Sequence, residues 1–295
     1  MGMEPRLVRI VQGAADSADG NVNWHVWPTD GPRSVLRRYH LYATREDLDY
    51  EHAVLHHLSG RGWLVPEPIG PLVSHNGRWY CLTTHVPGRA RARADETARR
   101  RRQRGGDLAR LHAAMAPLAA ELGQRPLWRA QHESTTVHAD IDWDSCLQAL
   151  SESHPELADW AAGANASVRE ELRALGAEAL PVTAIHGDFA EWNVHYLGER
   201  LAGVIDFGLA HLDSRPYELA IARTFRAPEV REGYVAELER LGWPLSDLEL
   251  AAIGPLYRAF RVDMVAWQLQ DGVRAGRFDP DAIAAQLARS ADGCC

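Results

Sequence analysis

No lysine occurs anywhere in the 295 residues. All 32 basic positions are arginine, and 40 acidic residues bring the formal net charge to −8. That balance argues against general nucleic-acid binding. Cysteine is scarce as well. Cys81, Cys146, Cys294 and Cys295 show no metal-ligand spacing and suit a reducing cytoplasm rather than a disulfide framework. Nothing upstream of the terminal Cys294-Cys295 pair supports lipidation, so it reads as a frayed tail. Long apolar runs are missing, which excludes a helical membrane span. The first thirty residues lack the basic start and apolar core of a secretory signal. A cytoplasmic, soluble, globular protein is expected, since 46% apolar residues suffice for one large core or two smaller ones.

What the chain does have is concentrated between Ile185 and Leu209. An apolar run, Val182 to Ile185, delivers the turn His186-Gly187-Asp188, and Asn193 follows five residues after the Asp. A strand from Asn193 to Leu197, a turn at Gly198-Glu199 and a strand from Leu201 to Ile205 then present Asp206. Such a hairpin can bring Asp188, Asn193 and Asp206 to one rim. Phosphoryl transfer needs that set: a carboxylate to orient the acceptor hydroxyl and take its proton, and an Asn with a second Asp to hold magnesium.

The pattern H-G-D-x4-N followed by I-D-F resembles the aminoglycoside phosphotransferase family, which includes choline-kinase-like and homoserine-kinase-like enzymes and shares the protein-kinase fold. The resemblance covers roughly residues 20–290, with its specific motifs in 185–220. It implies an α+β, two-lobed, protein-kinase-like fold. A small antiparallel-sheet lobe, residues 1–86, would bind nucleotide, and a larger mainly helical lobe, residues 87–295, would carry catalysis and the acceptor. It also implies Mg2+-dependent transfer of the γ-phosphate of ATP (or GTP) to a hydroxyl of an aminoglycoside-like or other small hydroxylated metabolite. Asp188 would be the base, with Asn193 and Asp206 as metal ligands. The rival from another class is a catalytically impaired, nucleotide-binding scaffold. No nucleic-acid, membrane or obligate protein partner is evident.

In the first lobe, strands are expected at 6–12, 21–28 and 33–40. Gly20 and Asn21 stand where the resembled family covers phosphate with a loop, and Gly20 would let backbone N–H groups face phosphate oxygens. Arg37 occupies the place of the lysine that such enzymes use on the α- and β-phosphates. Its charge is permanent but its forked head differs, so the exchange is not conservative. A helix capped at Thr44 or Asp47 and running to about Leu58 offers Glu51 as the partner of Arg37. His52, His56 and His57 lie on the same helix without a third metal ligand. A hairpin around Asn76-Gly77 leads into His85-Val86-Pro87-Gly88, similar to the family's linker. Thr84, His85 and Val86 are therefore expected to line the nucleotide cleft.

Eight arginines between Arg89 and Arg104 read as a solvated or mobile face, or else as an anion-attracting patch. Leu108-Ala109-Arg110-Leu111-His112 matches the family's central helix, with His112 packed rather than catalytic. Residues 125–180 would shape the acceptor pocket. Asp142 and Trp143 with Glu191, Asp263 and Trp267 are its candidates, an acidic and aromatic set suited to a cationic acceptor. Trp192 is expected to pack, and His186 to hold the turn by hydrogen bonding. Tyr217-Glu218-Leu219-Ala220 resembles the family's D-L-A helix start with Glu in place of Asp, bracing the metal loop. Asp206-Phe207-Gly208 and Ala227-Pro228-Glu229 mimic protein-kinase motifs, but the helix between them leaves little room for an activation loop. Helices are expected at 229–241, 246–271 and 279–290, with Ser246 as an N-cap.

Overall fold

The computed structural model describes residues 20–28, 31–222 and 227–291. The expected strand at 6–12 and the Cys294-Cys295 tail lie outside these residues. The described chain is α+β and forms two compact units. One holds the residues up to Asp95 together with Glu191–Ala210, and the other holds Glu96–Ala190 and His211 onwards.

The first unit is built on an antiparallel sheet. In chain order its strands are β1 (Val22–Val26), β2 (Ser34–Arg38), β3 (Val73–His75) and β4 (Arg78–Thr84), paired in the order β1-β2-β4-β3. Asn76 and Gly77 join β3 to β4 with both φ angles positive, 50° and 69°, as a tight hairpin turn between right-twisted strands requires. Helix α1 (Arg45–Ser59) starts at Thr44, whose side chain accepts from Asp47 N. It buries Leu48, Val54, Leu55 and Leu58, a stripe at helical spacing.

This unit reaches beyond the expected boundary after Val86, and it takes in the hairpin 191–210. A short strand, β5 (Arg89–Ala90), pairs with β7 (Val194–Leu197), and β7 pairs with β8 (Arg200–Val204). Glycine permits the join. A Cβ on Gly203 would lie 2.2 Å from the Leu64 carbonyl oxygen, and the next amide, Val204 N, donates to that oxygen at 3.1 Å.

The second unit is mainly helical. Its elements are α2 (Ala98–Met115), α3 (Leu118–Glu121), α4 (Trp143–Ser151), α5 (Pro155–Leu175), β6 (Val182–Ile185), β9 (His211–Ser214), α6 (Arg215–Ile221), α7 (Pro228–Arg240), α8 (Asp247–Ala275) and α9 (Pro280–Ala291). Strands β6 and β9 pair antiparallel. Leu150, Ala161, Val265, Leu269, Ile283 and Leu287 join α4, α5, α8 and α9 in one core. Ser246 begins α8 with a full capping box to Glu249. Glu249 also receives a bidentate, buried pair from Arg215 at 2.8 Å per bond.

The arginine block is only in part the solvated face expected: Arg89, Arg93 and Arg99 are exposed, whereas others are held in ion pairs. Its second half forms the start of α2, where glycines let α2 and α7 touch backbone to backbone. A Cβ on Gly105 would sit 1.9 Å from Val230 O, and one on Gly233 would sit 1.9 Å from Arg102 O. At that distance the arginines meet the acids of α7. Arg101 pairs with Glu229 and Arg102 with Glu232, each at 2.8 Å. Arg104, 1% exposed, is fixed by Glu96 at 3.0 Å.

Candidate active site

In the first unit the face of the sheet is read from its register. Antiparallel partners lie on the same side, so Arg37 opposite Asn23 and Val35 opposite His25 and Thr83 share one surface. That surface walls a cavity of about 330 Å³, completed by Tyr39, Glu51, Leu55, Pro66, Thr84, His85, Val86, His195, Ile205 and Asp206. The expected cleft residues Arg37, Glu51, Thr84, His85 and Val86 are therefore together, and Asp206 is with them. Gly20 and Asn21 are not among the lining residues. The Asn21 side chain accepts from His40 N at 2.9 Å.

Arg37 lies between two carboxylates. Its Nη2 donates to Asp206 Oδ1 at 3.0 Å, and its Nη1 lies 3.8 Å from Glu51 Oε1. Burial alone would lower the guanidinium pKa, but Glu51 and Asp206 outweigh it and push the pKa up. The Tyr39 ring stands 5.1 Å from the guanidinium carbon, and its hydroxyl bonds His52 Nε2 at 2.9 Å. Burial, followed by the nearby His56 charge, drops the His52 pKa to about 4, so His52 is a neutral partner. Sequence reasoning expected Glu51 beside Arg37 and missed the closer contact with Asp206. It also missed His25 and His195 in the cavity, which strand alternation from Val35 and from Asn193 could have indicated. Burial lowers the pKa of both His85 and His195, which favours the neutral form of these two imidazoles.

Asn193 and Asp206 flank the paired ends of the β7–β8 hairpin. Ile205 N donates to Asn193 O at 2.9 Å, which closes the ladder one residue before Asp206. Asp206 then turns into the left-handed region at φ 66°, and its side chain is 47% exposed. This donor set is all oxygen and suits a hard divalent cation. One or two protein oxygens are what magnesium takes when water and phosphate complete its shell.

Asp188 lies in the second unit, in the turn after β6. Gly187 adopts φ 83°, and Asp188 N donates to His186 Nδ1 at 3.1 Å, the bracing role expected of His186. The turn is held from below by Glu218 on α6. This fully buried carboxylate accepts from His186 N at 2.7 Å, Gly187 N at 2.8 Å and His112 Nε2 at 2.8 Å. His112 Nδ1 meets the Tyr234 hydroxyl at 2.7 Å. Burial would raise the Glu218 pKa, yet the bonds and charges from His112 and His186 lower it, so the group is ionised. Glu218 therefore braces the His-Gly-Asp turn, where the sequence had suggested the metal loop.

The acceptor candidates have other duties. Asp142 caps α4, accepting from Ser145 N at 3.1 Å and Ser145 Oγ at 2.7 Å. Trp143 packs against the helical core. Asp263 is 2% exposed on α8, where its Oδ1 accepts from Val137 N at 3.1 Å. Burial raises its pKa to about 7, so near neutral pH it carries only part of a negative charge. Trp267, also hydrogen-bonded to Asp263, stands edge-on to His138 at 4.4 Å between centroids. Asp263 and Trp267 are thus together, and Asp142 and Trp143 serve α4. Glu191 is buried at 8% exposure, whereas Trp192, expected to pack, is 44% exposed.

Comparisons with known proteins bear on the family and the fold. A family model described as a phosphotransferase enzyme family matches residues 14–249. A homoserine kinase of Xanthobacter autotrophicus is 29% identical over 88% of this chain and 79% of its own length. One of Beijerinckia indica is 32% identical over 72% of this chain and 63% of its own length. Among solved structures, amicoumacin kinase in complex with AMP-PNP, Ca2+ and Ami superposes with a TM-score of 0.69 at 15% identity, covering 98% of this chain and 87% of that one. Choline kinase LicA of Streptococcus pneumoniae gives 0.61 at 12% identity, covering 92% and 89%. The fold is the protein-kinase-like one shared by these phosphotransferases, a small antiparallel-sheet unit and a larger mainly helical unit.

Proposed function

The chain belongs to the phosphotransferase enzyme family as an ATP-dependent small-molecule kinase, and from that premise we propose that it moves the γ-phosphate of ATP (or GTP) to a hydroxyl of a small metabolite. The observation that carries the proposal is the cavity in which Arg37, Glu51 and Asp206 meet the linker residues Thr84, His85 and Val86. Arg37 holds the phosphates and Glu51 holds Arg37. Asp188 accepts the proton of the acceptor hydroxyl, a step in which the hydroxyl oxygen bonds to phosphorus as the bond to the ADP oxygen breaks. Asn193 and Asp206 would hold magnesium, which when bound supplies charge neutralisation for the phosphates. The acceptor is a small hydroxylated compound. The names of the matched relatives support one of homoserine size. With Asp142 capping a helix and Asp263 buried and partly protonated near neutral pH, the case for a polycationic aminoglycoside-like acceptor is weakened.

The test is magnesium-dependent consumption of ATP and GTP by the pure protein across homoserine, other amino alcohols, choline, sugars and aminoglycosides, with Asp188→Asn as control. Turnover with one class, lost in the variant, is expected. Arg37 in place of lysine favours a second reading, a nucleotide-binding scaffold. Tight nucleotide binding without turnover, for any acceptor and in an Arg37→Lys variant as well, would select it.

A further inference from the structure

Arg37 is gripped more firmly than phosphate binding alone requires. Glu51, 3% exposed, holds it from α1, and Tyr39 lies beside it from the same stretch of chain. Asp206 takes a direct hydrogen bond from Nη2. The fork of a guanidinium can serve two carboxylates at once, which the single nitrogen of a lysine does less readily. Gly208 borders this arrangement: a Cβ there would be in ordinary van der Waals contact, 3.5 Å from Arg37 Nη2, 3.7 Å from Asp206 Oδ1 and 3.9 Å from Glu51 Oε2.

The oxygen that Arg37 engages belongs to the carboxylate expected to ligate the divalent cation. A magnesium-type ion sits at about 2.1 Å from its oxygen ligands, and a second cation hydrogen-bonded to the same carboxylate repels it. We propose that Arg37 competes with the divalent cation for Asp206, holding the carboxylate neutralised until nucleotide phosphates offer the guanidinium another anion. Metal and nucleotide then bind as a strongly coupled pair, because phosphate draws the competitor off the metal ligand. This rests on the reading of the cavity as the nucleotide site.

The probe is Mn2+, followed as free ion by electron paramagnetic resonance, together with ADP titrated separately by calorimetry. Arg37→Met is expected to bind Mn2+ without nucleotide about tenfold more tightly than the unaltered protein, and to bind ADP about tenfold less tightly. A merely structural role for Arg37 would weaken both. Arg37→Lys keeps a charge beside buried Glu51 and guards against misfolding of the Met variant. It is expected to shift Mn2+ affinity the same way by a smaller factor. Arg45→Met removes an exposed charge of α1 and is expected to leave Mn2+ binding within about twofold. Mn2+ affinity unchanged in both Arg37 variants, or a gain matched by Arg45→Met, overturns the proposal. An unaltered protein that binds no ADP at any Mn2+ concentration overturns instead the nucleotide-site reading beneath it.

Discussion

Replacing Glu218 with Gln tests whether the His-Gly-Asp turn is held by one buried carboxylate. Three donors point at that group: His186 N, Gly187 N and His112 Nε2. A carboxylate can only accept, so its two oxygens suit all three. An amide cannot. With its NH2 in place of Oε1 it opposes Gly187 N–H, and turned over it opposes both His186 N–H and the His112 donor. Hydrogen bonds to an ionised group contribute about 1.5–3 kcal/mol, and a stranded buried donor costs about 1–3 kcal/mol. Even in its better orientation, the amide of the Glu218→Gln variant therefore loses roughly 3 kcal/mol. Glu218→Ala would strand all three donors and lose about 3–9 kcal/mol, a large part of the ~5–15 kcal/mol that holds a typical domain together. Gln is the informative change.

Urea unfolding followed by tryptophan fluorescence measures the loss, and amide exchange at Gly187 locates it. At about 1.4 kcal/mol per factor of ten, that amide is expected to exchange about a hundredfold faster. The pH dependence gives an independent check. The folded-state pKa of Glu218 is depressed, so its contribution is present above the ordinary carboxylate range and is lost as pH falls through the folded pKa. The gap between Glu218→Gln and the unaltered protein should narrow toward acid. A deficit under ~1 kcal/mol at neutral pH, with Gly187 exchange unchanged, would refute the reasoning.

Three further outcomes are expected. Asp188→Asn should lower kcat by at least about a hundredfold with unfolding unchanged, and near-normal turnover would remove Asp188 from the role of base. Gly105→Ala should destabilise the protein by more than the ~1–3 kcal/mol usual for overpacking, since the added methyl meets backbone at 1.9 Å. Urea denaturation reads it, and a neutral effect would mean that α2 and α7 separate freely. The folded-state pKa of Asp263 is raised to about 7, so its stabilising contribution is complete below its unfolded value near 4 and is lost as pH rises toward 7. Asp263→Asn should therefore gain stability relative to the unaltered protein between pH 5 and 8, and parallel pH profiles would show that Asp263 is ionised when folded.

Local chemistry was legible in the sequence wherever it is dictated by neighbours in the chain. The cap at Thr44, the turn at Asn76-Gly77 and the capping box at Ser246 are each written within four residues. The nearness of Asn193 to Asp206 in the chain fold is legible because the β7–β8 hairpin fixes how far apart its ends can be. Partners distant in sequence were not. Arg101 meets Glu229 across 128 positions, so the arginine block carried no sign of its pairing with α7. Asp142 could have been found as a cap from Ser145 three residues on. Asp263 lies in the run Val262-Asp263-Met264-Val265-Ala266, where the apolar neighbours hint at burial but do not name its donor, Val137 N.

Glu51 and Glu218 show why the two candidate sites should fail differently when altered. Both are buried, at 3% and 0% exposure. Glu51 is paired with the Arg37 guanidinium at 3.8 Å, an attraction between charges that depends only weakly on angle. Glu218 is held by two backbone N–H groups and an imidazole, all directional, at 2.7 to 2.8 Å. The first arrangement can exchange partners as phosphates arrive, and the second can only hold a turn still. Changes at position 37 should therefore appear in nucleotide and metal affinity, while Glu218→Gln should appear in turnover, through the orientation of Asp188. A Glu218 variant that raised the KM for ATP without lowering kcat would contradict that division.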